Sequence, residues 1–135
     1  MNVVIDTNVV FSAKFFGGVP GKILELAFVG QYKVVTSEEI IAEYLELVGR
    51  YKKAKKLSDI STELKVVDTL ISNAIVVDIK DTKAPPCADP DDIMFLQAAI
   101  ASQANYLVSG DKHLLNVKQY PGGLVVKPQE FLGLI

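Results

Sequence analysis

Apolar positions along the chain form short strand-like runs that alternate with helical patterns. The strand-like runs are rich in β-branched residues: NVVI, YKVVT, IVVDI, NYLVSG and GLVVK. The helical patterns are PGKILELAFVG, SEEIIAEYLELVGRY, STELKVVDTLISNA, DPDDIMFLQAAIASQA, DKHLL and PQEFLGLI. Because strands this apolar need cover on both faces, the alternation predicts an α/β fold, a three-layer α/β/α sandwich around a parallel sheet. The pattern alone leaves the strand order open.

Capping residues indicate where several helices begin. Ser37 is predicted to be the N-cap of the second helical pattern, and Ser61 or Thr62 that of the third. Asp89 is predicted to cap the fourth pattern, with Pro90 at its first helical position.

Composition narrows the class of protein. A chain of 135 residues with a hydrophobic fraction of 50% fits one domain, residues 1–135, with a sizeable core.

No apolar run approaches the ~20 residues of a membrane span, so no membrane association is expected. The start of the chain, with an acid at position 6, does not resemble a signal peptide. Cys87 is the only cysteine, which excludes an intrachain disulfide and favours the cytoplasm. A net charge of −2 argues against bulk-charge coating of nucleic acid but allows a local basic patch.

Two strand-like runs end in an acid. Asp6 follows NVVI, and Asp111 follows YLVSG. In open parallel sheets, ligands bind outside the carboxyl ends of the strands, where a carboxylate reaches solvent while its strand stays buried. An N-cap role is the alternative for each acid, and neither acid taken alone decides between the two interpretations.

Asp92 lies in the DPDD turn that opens a helical pattern. Asp89 supplies the cap, and Asp91 suits the exposed side of the turn. Asp92 is followed at i+3 and i+4 by Phe95 and Leu96, which predicts that it lies on the face toward the sheet. An acid buried there without a partner would be costly.

Glu43 lies beside the apolar face of its helix. At about 100° per residue it falls about 40° beyond Leu47, whereas Glu39 and Glu46 point further toward solvent. The helical wheel therefore allows Glu43 to join a site at the strand ends. A solvated acid on the flank of the helix is the alternative.

The four acids together form a predicted set of hard oxygen ligands at one end of the sheet. No histidine or cysteine is expected to accompany them, since the chain has only His113 and Cys87. All-oxygen sites favour Mg²⁺ or Mn²⁺ over zinc or copper. An ion held by few carboxylates keeps water ligands, which suits the activation of water against a phosphodiester.

With these four acids the sequence resembles the PIN domain. The segments VVIDTNVV, SEEIIAE, DPDDIMFLQAA and YLVSGDKHLL occur in the order and spacing of that family, over essentially the whole chain. The sequence is most similar to short bacterial and archaeal PIN proteins that are described as toxin components of toxin–antitoxin pairs. The resemblance implies a PIN-like fold whose parallel strands follow the order 3-2-1-4-5.

The resemblance also implies roles for the acids. The catalytic quartet of the family falls on Asp6, Glu43, Asp92 and Asp111. Asp6 and Asp92 would be the main metal ligands, and Asp111 would bind directly, through water or at a second metal. Glu43 would hold or deprotonate the attacking water.

Two further polar residues match supporting positions of the family. Asn8 would orient Asp6, and Ser109 supplies a hydroxyl where the family commonly has threonine. No member of the quartet is missing from this sequence.

The activity that the resemblance implies is a Mg²⁺- or Mn²⁺-dependent endoribonuclease, the toxin of a type II toxin–antitoxin system. Its expected partners are an RNA substrate, an antitoxin protein and a second copy of the chain in a homodimer. Two alternatives stay open: a PIN-fold module that binds RNA or protein without cleavage, and an RNA-processing nuclease without an antitoxin.

Basic residues supply candidate contacts to RNA. The stretch RYKKAKK contributes Arg50, Lys52, Lys53, Lys55 and Lys56, and the stretch after Asp111 contributes Lys112 and His113. A solvated helix end is the alternative for RYKKAKK, because lysines also suit a helix C-terminus.

Overall fold

A mostly parallel sheet lies at the centre of this computed structural model, which describes residues 1–16, 18–56 and 58–135. Its strands are β1 (Asn2–Ile5), β2 (Lys33–Thr36), β3 (Ile75–Val76), β4 (Tyr106–Val108), β5 (Gln119–Tyr120) and β6 (Gly123–Val126). Their order across the sheet is β3-β2-β1-β4-β6-β5. The predicted order 3-2-1-4-5 is confirmed for the parallel strands, with β6 in the fifth place. The strand β5 pairs antiparallel with β6 and adds an edge that the sequence pattern did not predict.

Helices connect and cover the strands. They are α1 (Thr7–Phe16), α2 (Gly18–Phe28), α3 (Glu38–Lys55), α4 (Ser61–Ser72), α5 (Ile93–Ala101), α6 (Lys112–Leu115) and α7 (Pro128–Leu134), and a 3₁₀ turn (Pro90–Asp92) precedes α5. Val3, Val4 and Ile5 of the central strand β1 are fully buried, although successive side chains point to opposite faces of a sheet. Both faces are therefore covered, as the three-layer prediction requires. None of the described helices combines the length and the apolar character that crossing a membrane demands.

The helix boundaries test the predicted caps. Ser37 Oγ accepts a hydrogen bond from the Ile40 N–H at 3.2 Å, and Asp89 Oδ1 accepts one from the Asp91 N–H at 3.0 Å, so both predictions are confirmed. The prediction for the third helical pattern is wrong, because Ser61 is already the first residue of α4 and follows Ile60 at the cap position. The free N–H of Ser61 is satisfied instead by the Asp59 carboxylate at 2.9 Å.

Two elements differ from the predicted pattern: one helix is additional and one strand is shorter. The helix α1 begins directly after Asp6, where the sequence pattern predicted no separate helix. The strand β3 contains two residues rather than the five of IVVDI, and both are exposed at the edge of the sheet. The early start of α1 matters for the site, because it brings Thr7 and Asn8 into the first turn of a helix beside Asp6.

Candidate active site

The parallel pairing of β1 and β4 places Asp6 beside Ser109. Ile5 pairs with Val108 in the register, and the Asp6 N–H continues the ladder by donating to the Val108 carbonyl at 2.9 Å. One residue further along each strand, Ser109 Oγ donates to Asp6 Oδ2 at 2.7 Å, and both side chains are buried. Ser109 Oγ in turn accepts the Asp111 N–H at 2.9 Å. The register of two strands thus brings Asp6 and Asp111 to the same end of the sheet.

Glu43 reaches this end of the sheet from α3. Thr7 Oγ1 donates to Glu43 Oε2 at 2.5 Å, and Thr7 is buried while Glu43 is half-buried. The next residue, Tyr44, is fully enclosed and donates its hydroxyl to the Ile5 carbonyl at 2.7 Å. The side chain of Tyr44 therefore fixes α3 on the last residue of β1, and Glu43 is aligned with the strand end as a consequence.

Asp92 is buried, as its spacing to the apolar residues of α5 predicts. The residue is 9% exposed, and its neighbour Asp91 is exposed. Among the described residues, Asp92 Oδ2 is the buried side-chain oxygen that has no hydrogen-bond partner. A buried carboxylate oxygen without a donor is unfavourable, so this atom calls for a partner that the described residues do not supply.

The four predicted acids line one pocket of about 210 Å³. Its other lining residues are Thr7, Asn8, Glu46, Leu47, Arg50, Asp89 and Asp91. Asn8 is exposed, and its backbone N–H lowers the pKa of the Asp6 carboxyl slightly. The structure therefore brings together Asp6, Glu43, Asp92 and Asp111, which lie far apart in the sequence.

Burial and mutual repulsion shape the protonation of the pocket. Burial raises the pKa of Asp6, the nearby charges of Glu43 and Asp111 raise it further, and the hydrogen bond from Ser109 opposes them. Burial and, to a smaller extent, the charge and hydrogen bond of the adjacent Asp111 carboxyl together raise the pKa of Asp92 to about 7. A cluster of carboxylates that resists ionisation, together with an unpartnered oxygen, fits a divalent cation, because such an ion offsets both costs.

His113 lies beside the pocket, close to two of the acids that line it, which corrects the expectation that no histidine accompanies the acids. Asp89, Asp92 and His113 each offer one ligand atom, and these three atoms lie within 4.8 Å of one another. His113 Nδ1 is 3.4 Å from Asp111 Oδ1. The backbone N–H of His113 donates to the same oxygen at 2.8 Å. Sequence reasoning treated Asp89 as a cap and His113 as a phosphate contact. The position of His113 two residues after Asp111 was the signal that could have found it.

The predicted RNA contacts divide into two groups. Arg50 lines the pocket and forms an ion pair with Glu46 at 2.5 Å. The lysines after it are exposed at the end of α3 and in its cap, and they do not line the pocket as far as the structure describes it: Lys52, Lys53, Lys55 and Lys56. Lys112 is exposed at the start of α6.

Comparison with known proteins identifies the family to which this fold and acidic pocket belong. A sequence model of the PIN domain matches residues 2–113. The chain therefore belongs to the PIN domain family. It is similar to the uncharacterised protein MJ1680 of Methanocaldococcus jannaschii, with 34% identity over 119 residues that cover 87% of this chain and 76% of that protein.

A solved structure supports the same fold. The crystal structure of VapBC2 from Rickettsia felis, bound to a DNA fragment from its promoter, is similar with a TM-score of 0.62. The likeness covers 94% of this chain and 98% of that chain at 16% sequence identity. At this identity the comparison establishes a common fold.

Proposed function

We propose that this protein is a divalent-metal-dependent endoribonuclease that hydrolyses RNA phosphodiester bonds. The observation that carries the proposal is the meeting of four carboxylates in one pocket, where Asp92 is buried with an unpartnered oxygen. A module that only bound RNA or protein would have no use for carboxylates that repel one another and destabilise the fold. Nuclease chemistry has such a use, because it needs a cation at the scissile phosphate.

The cation would be Mg²⁺ or Mn²⁺, held by Asp6, Asp92 and Asp111. When bound, it lowers the pKa of water and stabilises the charge that develops on the phosphate. Asp6 is fixed for this purpose by Ser109 Oγ. Because Ser109 is buried directly after the strand β4, the Asp6 carboxylate needs little rearrangement to act as a ligand.

Glu43 is proposed as the general base. Thr7 Oγ1 donates a hydrogen bond to Glu43 Oε2. The other carboxylate oxygen of Glu43 is then left to accept a proton from the attacking water. The oxygen of that water forms a bond to phosphorus while the bond from phosphorus to the leaving oxygen breaks. The leaving oxygen takes a proton from solvent, and Glu43 later returns its proton to water.

RNA would approach the pocket along the end of α3. Arg50 is proposed to contact the phosphate nearest the site, since it lines the pocket itself. The exposed lysines that follow it would contact phosphates further along the strand, and Lys112 would act on the other side of Asp111. Each such contact releases counterions, so RNA affinity should fall with added salt.

An antitoxin partner belongs to the same proposal. The similar protein from Rickettsia felis is a VapBC2 assembly, and this chain has its fold. We therefore propose that this chain is the toxin of a type II pair, a cytoplasmic homodimer that an antitoxin protein holds inactive. A small reading frame beside the gene, whose product binds the chain and suppresses cleavage, would support this assignment. An RNA-processing nuclease would have no such neighbour.

Cleavage of labelled single-stranded RNA tests the activity. Wild type should cleave RNA with Mg²⁺ or Mn²⁺ and should not cleave it in EDTA. The cleavage rate of Asp6→Asn should be lower by at least about 10³-fold, because stabilisation of the transition-state charge worth several kcal/mol is lost. Asp68→Asn, at an exposed acid of α4, is the matched control and should cleave like wild type. Cleavage that persists equally in EDTA would contradict the metal mechanism. Tight RNA binding without any cleavage would favour the binding module.

A further inference from the structure

We propose that the groove between α3 and α5 is a subsite for one unpaired guanine base of the RNA substrate, next to the scissile phosphate. The inference deepens the proposed function and rests on it, because that phosphate would lie in the acidic pocket. The residues proposed to hold the base are outside the acidic quartet, and their contacts with a base need no metal ion.

The groove is large and continues directly into the acidic pocket. Its volume is about 650 Å³, within the range of small-molecule sites in proteins. The two cavities share four lining residues: Glu43, Glu46, Arg50 and Asp91. An RNA strand with a phosphate in the pocket can therefore place the adjoining base in the groove.

Apolar side chains supply a surface for the flat face of a base. Ile79 is only 4% exposed, Ile93 and Met94 are half-buried, and Ala42 and Pro90 complete this apolar lining. A thioether packs favourably against an aromatic ring, and apolar side chains commonly hold bases that have left a stack. None of these five residues lines the acidic pocket, so the chemistry proposed there does not account for them.

The polar groups that read a base in this groove would be acceptors. Gln97 Nε2 donates to the Thr82 carbonyl at 2.9 Å, which fixes the amide and leaves its Oε1 available to a ligand. Glu39 is exposed and forms no ion pair within the described part of the chain. It is also the one groove carboxylate that the acidic pocket does not share, as far as the structure describes the two cavities. Both groups therefore favour a ligand with N–H donors.

Charge complementarity favours a base over a phosphate. Among the described residues, four carboxylates line the groove, against two cations, Arg50 and Lys80. Arg50 is already paired with Glu46 at 2.5 Å. The net negative lining repels the sugar–phosphate backbone but not a neutral base, and the exposed Lys80 suits the phosphate on the far side of that base.

Guanine has the donor pattern that these acceptors match. Its Watson–Crick edge carries N1–H and the N2 amino group side by side, and the two oxygens of one carboxylate can accept both. Uracil offers a single N–H between two carbonyl oxygens, which a carboxylate repels. We assign the carboxylate to Glu39. Because base pairing hides this edge, the guanine must be unpaired.

Met94 provides a direct reporter of a base in the groove. The chain has two methionines, and Met1 precedes β1 at the end of that strand opposite to Asp6. The full-length protein, labelled with ¹³C in its methionine methyl groups, would be titrated in EDTA with guanosine and separately with uridine, and Met94→Leu assigns the signals. Guanosine should shift the Met94 methyl signal through the ring current and leave Met1 unchanged. Uridine should bind at least about tenfold more weakly.

Three outcomes of this titration would overturn the proposal. They are an unmoved Met94 signal, equal shifts of Met94 and Met1, and equal affinity for the two nucleosides. The first would mean that no base enters the groove, the second that the binding is non-specific, and the third that the groove does not read the edge of the base.

Substitution of Glu39 gives the matched comparison. Glu39→Gln keeps the shape of the side chain and should weaken guanosine binding by at least about tenfold, while uridine binding changes by less than about twofold. Glu38→Gln removes the same charge from the same first turn of α3, at an exposed residue that does not line the groove. It should change guanosine affinity by less than about twofold. Equal weakening by the two variants would overturn the proposal in favour of general electrostatics.

Cleavage assays separate this subsite from the proposed function. A single-stranded RNA with one guanine should be cut at a fixed position relative to it, and inosine, which lacks the N2 amino group, should lower kcat/KM by at least about fivefold. Cleavage that ignores the guanine would contradict its place beside the scissile phosphate. A guanosine-induced shift of Met94 in a protein that never cleaves RNA would support the subsite and contradict the nuclease. Metal-dependent cleavage with an unmoved Met94 signal would contradict the subsite alone.

Discussion

The two sides of the pocket stabilise their carboxylates in different ways. On one side, Asp6 and Glu43 each accept a hydroxyl hydrogen bond, from Ser109 and from Thr7. We call this the hydrogen-bonded side. On the other, Asp92 is buried with an oxygen that has no partner among the described residues. We call this the open side.

The difference separates what the fold provides from what a ligand must provide. The hydrogen-bonded side is preorganised, because its donors come from a strand end and a helix start that the sheet holds in place. The open side carries a buried charge that the fold does not neutralise, which is the usual form of a site where stability is sacrificed for binding. The comparison predicts that mutations on the two sides change the stability of the metal-free protein in opposite directions.

The largest effect on stability is expected at the open side. Burial raises the pKa of Asp92 from its ordinary value of 3.8 to about 7, so the folded protein holds a proton that the unfolded chain has released between these values. Metal-free wild type should therefore be most stable at low pH and lose stability as the pH rises through about 7. Asp92→Asn should raise the free energy of unfolding at pH 8 by about 1–3 kcal/mol, the cost of an unpartnered buried group.

Urea unfolding at pH 5 and pH 8 in EDTA measures this difference. Asp92→Asn should weaken the pH dependence without removing it, because burial also raises the pKa of Asp6. The exposed neighbour supplies the control, since Asp91→Asn should keep the wild-type pH dependence. Mg²⁺ at 100 times its Kd should stabilise wild type at pH 8 by about 2.7 kcal/mol and Asp92→Asn far less. If Asp92→Asn kept the wild-type pH dependence, the ionised Asp92 carboxylate would not be the group that destabilises the folded protein at high pH.

Removal of a donor from the hydrogen-bonded side should have the opposite sign. Ser109→Ala leaves Asp6 Oδ2 without its donor and the Asp111 N–H without its acceptor, in a fully buried position. We expect the free energy of unfolding to fall by about 1–2 kcal/mol. Because the Ser109 hydroxyl lowers the pKa of Asp6, the loss should be larger at pH 8 than at pH 5.

A second serine provides the control for Ser109→Ala. Ser102 Oγ donates to the Ala98 carbonyl at 2.7 Å, but that carbonyl also accepts the Ser102 N–H. Ser102→Ala therefore leaves no group without a partner and should cost less than about 0.5 kcal/mol. Equal losses for the two serine variants would mean that the Ser109 hydroxyl does not support Asp6.

The sequence predicts those features that depend on local pattern. The caps at Ser37 and Asp89 are confirmed. The order of the parallel strands is also confirmed, but it was implied by the resemblance to the PIN domain, because the pattern alone left it open. The inward orientation of Asp92 follows from its spacing to α5 and is also confirmed. The caps and the orientation of Asp92 need only a short window of sequence, whereas the strand order needs the resemblance of the whole chain to a family.

Features that depend on long-range geometry were not predictable. Thr7 and Glu43 are 36 positions apart, and their contact depends on how α1 packs against α3. The approach of His113 to Asp89 likewise depends on how the strand β4 and the turn before α5 meet. A two-residue antiparallel strand such as β5 has too few residues to show a period. Spacing places His113 near Asp111, but it does not reveal the approach of His113 to Asp89, the contact of Thr7 with Glu43 or the strand β5.

The smallest change of stability, but a clear kinetic effect, is expected for Thr7→Val. The substitution preserves shape and removes only the hydroxyl that holds Glu43 Oε2. Since Glu43 is half-buried and can accept a hydrogen bond from water, the free energy of unfolding should change by less than about 1 kcal/mol. Cleavage at saturating RNA should slow by about tenfold, because the proposed base loses its orientation while its charge remains.

Thr7→Ser and a double variant sharpen this last prediction. Thr7→Ser keeps the hydroxyl and should restore most of the rate. Glu43→Gln removes the base, so Thr7→Val combined with Glu43→Gln should be no slower than Glu43→Gln alone, as expected when one residue acts through another. Additive losses would mean that Thr7 contributes to the pocket by another route. The hydrogen-bonded side would then consist of Asp6 and Ser109 only, with Glu43 left to solvent.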